Sequence, residues 1–412
     1  MAKTKTRSRN NSKDILRSAN APLVKSALPS RSQKSTEDLL AEAATLLEHS
    51  QPDEALPLVQ EALQRLEADK PAYSDIDILL QTAAQEKATF PTALVLGADI
   101  CSALGDIDKA RAQYELAVRL DPDGALVSAE PYLELAQLCE EGGRKSVAYF
   151  EKAVEVIKNE IDALDEQMDV EGTQQIVDLR RSKLADALCA IAEIYMTDLS
   201  WEDDAEQRCE QLVTEAVAIC PETLSAGVLQ TLASIRISQE RVDEARRTLA
   251  QSLSVWMDIP ADTEHLARPD FATRVSLVRL LMEVEQEQDA MIVLEGLVKE
   301  DDQSVESWYL GGWCHLLISN KPDTAEDTTS TYAQQAREWL ANCLKLYQVL
   351  QYEDEPLRHH AEELVQQLNT SLNIAESEDE WEDADDNDNE LDGDDIEAVD
   401  ADHSRGEDVE MT

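Results

Sequence analysis

The residues of this 412-residue chain that could do chemistry are few, and their spacing argues against each in turn. His359 and His360, followed by Glu362 and Glu363, offer metal-ligand atoms, but adjacent residues on a helix point in different directions, so a surface helix is the expected reading. The run D-N-E-L-D-G-D-D from Asp388 puts Gly393 at the sixth place of a calcium loop. Val399 then occupies the twelfth place, where a bidentate Glu is required. Gly311 and Gly312 lie inside a helical pattern with no Lys-Ser/Thr after them, so they do not make a phosphate loop. Asp203 and Asp204 form a carboxylate pair, yet nothing apolar surrounds them to raise a carboxyl for acid catalysis. The seven cysteines (Cys101, Cys139, Cys189, Cys209, Cys220, Cys314, Cys343) are odd in number, widely spaced and without a C-x-x-C pair. That excludes a disulfide framework and a zinc knuckle, and predicts buried thiols in a reducing cytosolic or nuclear compartment. No catalytic, cofactor-binding or metal-ligating residue is predicted, no cofactor is expected, and the chain reads as non-enzymatic.

Charge is the stronger signal. The formal net charge is −50. Residues 1–34 hold nine Lys/Arg and one acid, while residues 371–412 hold nineteen acids and one Arg, which leaves −40 for residues 35–370. A body this acidic repels itself and would repel phosphate, so direct nucleic-acid binding is not expected. Two readings stay open: a solvated, aggregation-resistant surface, or a field that attracts a strongly basic partner. No apolar run of about eighteen residues exists, so a membrane span is not expected, and the polar, basic N-terminus is unlike a secretory signal.

The elements that carry this charge follow from composition. Leu and Ala dominate the apolar residues and aromatics make up only 4%, which favours helices packed through small and aliphatic side chains. Three zones are predicted: a flexible basic leader at 1–34, a helical body at 35–370 and a disordered acidic tail at 371–412. Within the body a pattern recurs about seven times. A second helix carries a small residue, a larger one four places on, and a third residue, usually small, three further. These triplets are Ala55, Val59 and Ala62; Ala110, Tyr114 and Ala117; Ser146, Phe150 and Ala153; Ala245, Leu249 and Ser252; Ala290, Leu294 and Leu297; and Ala336, Leu340 and Cys343. The spacing puts each triplet on one helix face, where small side chains let helices approach closely. The fourth unit is distorted. Ala205 opens its helix and Ala216 lies near its end, too far apart unless that second helix is lengthened. Preceding first helices offer Ala43 with Leu46, Ala98 with Cys101, Ala136 with Cys139, Ala192 with Tyr195, Ala233, and Trp308 with Gly312.

These residues resemble the tetratricopeptide-repeat family. Residues 94–122 are most similar, with a turn glycine at Gly105, Ala110, Tyr114, Ala117 and a closing Pro122; the turn segment S-Q-E-R-V-D-E-A at 238–245 is similar again. The resemblance implies an all-α fold, a right-handed superhelical solenoid of tetratricopeptide-like helical hairpins with disordered termini. Its first helices would line a concave surface able to receive an extended chain. The unequal anchor spacing predicts insertions at 65–90, 159–182, 258–270 and 319–331, with 159–182 the charged protrusion or lengthened helix pair. Trp308, Trp313 and Trp339 fit either the core of the last repeats or aromatic anchors on a binding surface, and Trp381 sits alone in the acidic tail.

The order of elements is also similar to a fungal family of dedicated assembly chaperones for the large-subunit ribosomal protein numbered four. The similarity includes residues 36–63, W-Y-L-G-G-W-C at 308–314, A-R-E-W-L at 336–340, and the acidic tail with its embedded Trp. It implies a molecular chaperone in ribosome biogenesis, found in cytoplasm and nucleus. Such a protein binds the basic internal loop of its newly made client, keeps it soluble and escorts it to nuclear pre-ribosomes. A nuclear import receptor is a possible further partner, with Lys3, Lys5, Arg7 and Arg9 either an import address or a plain basic leader. The alternatives are a histone or other basic-protein chaperone and a generic tetratricopeptide adaptor of complex assembly. Repeats that clamp acidic tails use basic side chains in the groove, a task to which this acidic body is ill-suited. No shared motif assigns client-contacting residues, which stay unknown at this stage.

Overall fold

The computed structural model describes residues 34–68, 76–83, 87–166, 172–260, 263, 265–321, 326–372 and 374. The basic leader except Lys34, and the acidic tail from residue 375 with Trp381, lie outside the described residues. The chain divides into two compact units, Met1–Leu297 and Val298–Thr412. Among the described residues all regular structure is helical.

In the first unit the helices come in hairpins. Helix α1 (Thr36–Glu48) pairs with α2 (Pro52–Glu67), and a short α3 (Ile76–Ala83) follows. Next come α4 (Phe90–Ala103) with α5 (Ile107–Leu120), α6 (Glu130–Gln137) with α7 (Gly143–Asp165), and α8 (Thr173–Met196) with α9 (Ala205–Ile219). Helix α10 (Ala226–Ser238) pairs with α11 (Val242–Trp256), and α12 (Phe271–Glu283) precedes α13 (Glu287–Glu300). Helices α1 and α4 start with reciprocal caps. Ser35 Oγ accepts from Asp38 N at 3.1 Å while Asp38 accepts from Ser35 N at 3.2 Å, and Thr89 and Thr92 exchange the same pair of bonds.

The second-helix triplets face inward. Ala55, Ala62, Ala110, Ala117, Ala153, Ala245, Leu249, Ser252, Ala290, Leu294 and Leu297 are fully buried, as are Ala43, Ala98, Ala192 and Ala233 on the first helices. Tyr114, Phe150, Ala136 and Tyr195 are also buried. Two serines in this set satisfy their hydroxyls on the opposing helix: Ser146 Oγ donates to Ala136 O at 2.7 Å, and Ser252 Oγ to Ala226 O at 2.8 Å.

The fourth unit needs a correction. Its second helix, α9, has 15 residues and is not lengthened. The pattern is instead carried by Cys209, Val213 and Ala216, which are 4%, 0% and 0% exposed and keep the four-then-three spacing. Cysteine, a small hydrophobe, takes the place of the expected alanine, and Ala205 is buried one turn earlier. The extra length lies in α7 and α8, of 23 and 24 residues, which flank the segment 167–171 outside the described residues.

Four turns share one geometry. Ser50, Gly105, Glu240 and Glu285 have positive φ (57°, 76°, 59° and 63°), each five residues before its anchor alanine. Each turn closes with a bond spanning five residues, for example Asp106 N to Cys101 O at 2.9 Å and Gln286 N to Leu281 O at 2.8 Å. Glycine occupies only one of the four sites, so the other three hold a side chain where the left-handed backbone disfavours it.

Neighbouring hairpins are joined by the arginine that follows an anchor alanine. Arg111 Nε donates to Leu138 O at 3.2 Å and its guanidinium meets Glu140 at 2.8 Å. Arg246 Nε donates to Val284 O at 2.8 Å and reaches Glu285 at 3.5 Å. Both carbonyls lie just past the end of the next first helix, where no intrahelical donor is available.

The second unit contains α14 (Val305–Ser319), α15 (Glu326–Val349) and α16 (Glu355–Ser371). Ala336, Leu340 and Cys343 are fully buried. A Cβ on Gly311 would lie 2.0 Å from the Trp339 ring, and one on Gly312 would lie 2.5 Å from Leu340. The paired glycines therefore let α15 lie directly on the α14 backbone. Trp308, Trp313 and Trp339 are half-buried. Trp308 packs against Trp339 with ring centroids 4.8 Å apart and ring planes tilted by 57°, and its Nε1 donates to Asp302 O at 2.8 Å.

Candidate functional site

The framework residues predicted from the sequence form hairpin interiors, so the accessible chemistry lies on neighbouring positions of the first helices. Asp99 follows Ala98 on α4, and Glu193 follows Ala192 on α8; Glu134 on α6 and Asp186 on α8 share this face. Helix periodicity sets this order: once an alanine is committed to the interior, the next residue sits about 100° round and reaches the open face.

Burial drives the electrostatics of this face. It raises the Asp99 carboxyl, an effect countered by the bond from Tyr114 Oη at 2.5 Å and reinforced by Glu130. Burial likewise raises Glu134, with the negative charges of Asp99 and Glu130 adding to it and Lys183 opposing it. Asp186 is pushed up to about 6 by desolvation, against the pull of Lys183. Glu193 is raised for the same reason, although Thr231 Oγ1 donates to it at 3.2 Å. Asp186 and Glu193 are nonetheless open to solvent. Being surrounded by protein while open on one side is the condition of a concave floor. Lys183 pairs with Glu130, and Arg180 with Glu160 at 2.9 Å. Among the described residues Asp99, Glu134, Asp186 and Glu193 have no ion-pair partner.

The C-terminal part of this face deepens into a groove of about 620 Å³ between α8, α10 and α12, within the first unit. Asp186 and Glu193 form one wall, Arg279 and Leu280 the other, and Gly227, Gln230 and Thr231 lie between. A smaller groove of about 440 Å³ involves Tyr195, Glu206, Cys209 and Gln239.

His359 and His360 diverge: His359 lies 3.7 Å from Glu355 and Glu362, whereas His360 Nδ1 bonds Tyr309 Oη at 2.6 Å and meets Trp313 edge-on. Among the described residues no group of three or more His, Cys, Asp or Glu could hold a metal ion, and no helix is long and apolar enough to cross a membrane. Sequence reasoning identified none of Asp99, Glu134, Asp186, Glu193 or Gln230. The available signal was their position one or two residues from a packing alanine on a first helix.

Comparison with known proteins places this face in context. The tetratricopeptide repeat family matches residues 92–123, the hairpin of α4 and α5. A protein of Emericella nidulans named "Probable assembly chaperone of rpl4" is 40% identical over 372 residues, covering 84% of this chain and 87% of the relative. The chain belongs to this fungal chaperone family. A Schizosaccharomyces pombe member with the same name is 32% identical over 314 residues, covering 73% of this chain and 88% of its own length. A solved structure described as "Assembly Chaperone of RpL4 (Acl4) (Residues 1-338)" is 41% identical with a TM-score of 0.60, over 69% of this chain and 97% of that one. The fold class is therefore an all-α tetratricopeptide solenoid, and the relatives are named as chaperones rather than as enzymes.

Proposed function

We propose that this protein is a dedicated chaperone of the large-subunit ribosomal protein named in its relatives, and that it holds the client's basic internal loop against the first-helix face of α4–α12. The observation that carries the reading is the row of unpaired carboxylates Asp99, Glu134, Asp186 and Glu193 on helices that the fold leaves open. Unpaired, partly desolvated carboxylates attract cations and reject phosphate, so they suit a Lys/Arg-rich segment that must be kept from nucleic acid. Charge supplies steering and rejection of wrong partners more than affinity, which calls for further shape and apolar contacts. The reading extends to transit between cytoplasm and nucleus, with hand-over at a pre-ribosome and an import receptor as a further partner.

The test compares three ligands for the full chain at about 0.15 M salt: the ribosomal protein, a version without its internal loop, and a histone of similar charge. Loop-dependent binding with clear preference over the histone is expected. Equal binding to all three would reduce the protein to an acidic sponge, and no binding to the ribosomal protein would overturn the reading.

A further inference from the structure

The junctions between hairpins differ in whether an arginine is present to join them. Arg111 and Arg246 each bind the carbonyl of the residue that ends the next first helix, Leu138 or Val284, together with an acid just beyond it, Glu140 or Glu285. The junction of α9 with α10 offers the same two acceptors, since Gln239 ends α10 and Glu240 follows it. Here, however, the residue after the anchor Cys209 is Glu210, which is bound to Arg236 and Arg241. Among the described residues no donor reaches the Gln239 main-chain carbonyl and no cation pairs with Glu240. The other junctions without such an arginine lack the acceptor pair. Gly105 follows Leu104 at the end of α4, and Asp198 at the end of α8 already accepts from Gly143 N at 3.0 Å.

The groove of about 440 Å³ opens at this place, lined by Tyr195, Ser200, Glu206, Gln239 and Glu240 among others. Its volume falls in the range of ligand-sized pockets, about 300–1,000 Å³. It lies at the turn end of the hairpins and shares only Met196 with the larger groove of the first-helix face. Ser200 on its rim is followed by Trp201, which is 75% exposed and whose Nε1 donates to Asp198 O at 3.0 Å. The turn carrying it runs over eight residues, 197–204, against three at 49–51, 104–106, 239–241 and 284–286. The added length ties down the polar edge of an indole and leaves its face in water, which suits a cation or the apolar stem of one.

We propose that this turn-side groove takes an arginine side chain from a partner protein. The guanidinium donates to the Gln239 carbonyl and to the Glu240 carboxylate, as Arg246 does with Val284 and Glu285, and Trp201 covers the residues flanking that arginine. Lysine fits poorly, because a single ammonium does not span both acceptors as a planar fork does. Phosphate groups are rejected by Glu206 and Glu240, so the occupant is a protein segment and not a nucleic acid. The proposal goes beyond the chaperone reading and does not rest on it, since none of its residues belongs to the carboxylate row of the first helices.

The test uses the full chain labelled with nitrogen-15 and three end-capped tripeptides, alanine-X-alanine, with X arginine, lysine or citrulline. The arginine peptide should shift the amides of Gln239 and Glu240 and the Trp201 indole, and bind at least about fivefold tighter than the other two. Glu240→Gln should abolish that preference. Glu295→Gln, an exposed acid on α13, should leave it unchanged, which separates the site from the general acidic field. Trp201→Ala should weaken the arginine peptide about two- to threefold with the melting midpoint unchanged. Equal binding of the three peptides, or an arginine preference that survives Glu240→Gln, would overturn the proposal, as would no shift at these positions up to about 10 mM peptide. Should Glu240→Gln lower the melting midpoint, Trp201→Ala and the peptide comparison in the unmodified chain decide. No ribosomal protein enters these measurements, so failure here leaves the chaperone reading intact.

Discussion

The turn side and the first-helix face of the same hairpins treat charge in opposite ways. At the turns, Arg111 meets Glu140, Arg246 meets Glu285, and Arg236 and Arg241 share Glu210 and Glu244. On the first-helix face Asp99, Glu134, Asp186 and Glu193 are unmatched. The excess of acid is therefore uneven over the fold. Charges are matched at these junctions, whereas on the first-helix face Lys183 and Glu130 form a pair and these four carboxylates do not. Exposed pairs contribute little individually, so the turn pairs serve register and the face carries the field.

The largest effect should come from erasing that contrast on the open face. Glu134→Gln, Asp186→Asn and Glu193→Gln together should cut affinity for the basic client roughly 10- to 100-fold at low salt. Asp99 is left out because it accepts the Tyr114 hydroxyl proton. The melting midpoint should hold or rise, because burial already disfavours the charged form of all three. Calorimetry paired with thermal melts checks both, and a drop in midpoint with unchanged affinity would reverse the assignment of the two faces.

Acid separates binding from stability through Asp186. Its folded value of about 6 lies above the ordinary aspartate value of 3.8, so its contribution to stability is present at low pH and is lost as pH rises between those values. Client binding as proposed would use the carboxylate and so should run the other way. Between pH 7.5 and 5.0 affinity should fall about tenfold for this single proton. The other charged or titratable groups near it are Lys183, Cys189 and Glu193 on α8, Cys220 before α10, and Arg279 across the groove on α12. Asp186→Asn should remove most of the pH dependence in a titration series.

On the turn side, Arg111→Ala and Arg246→Ala should each lower the melting midpoint by a few degrees and leave client affinity unchanged. Each leaves a helix-end carbonyl without its donor. A matching loss of affinity would show that the hairpin junctions also set the shape of the open face.

The smallest effect should be a gain. Glu240→Gly relieves a left-handed backbone at φ 59° and should stabilise the chain by about 1 kcal/mol, read as a shift in the urea midpoint. Glu285→Gly should gain less, since Glu285 also meets Arg246.

How much could be read beforehand follows the same division. Hairpin interiors were legible because Ala110, Tyr114 and Ala117 mark one helix face within eight residues of sequence. The fourth unit misled because Cys209 replaced the expected alanine, though Val213 and Ala216 held their spacing. The open face was not legible, because pairing is a non-local property. Arg111 and Glu140 are 29 positions apart, and nothing in the run of acids distinguishes Glu140, which is matched, from Glu134, which is not. Glu240 was silent for the same reason: a carboxylate is unmatched only with respect to a complete surrounding structure.

The cysteines built into these interiors have a kinetic consequence. Burial pushes Cys189 and Cys343 up to about 12 and Cys220 to about 11, with Cys101 and Cys209 also raised. A thiol at 12 is ionised to about one part in 10⁵ at pH 7, so electrophiles meet almost no thiolate in the closed chain. Modification must wait for a hairpin to open. Cys101 sits on α4, Cys189 and Cys209 on α8 and α9, and Cys343 on α15, so thiols are distributed along the array. Their rates of labelling should time the opening of the hairpins that bury them, with Cys189 and Cys209 reporting on the same one.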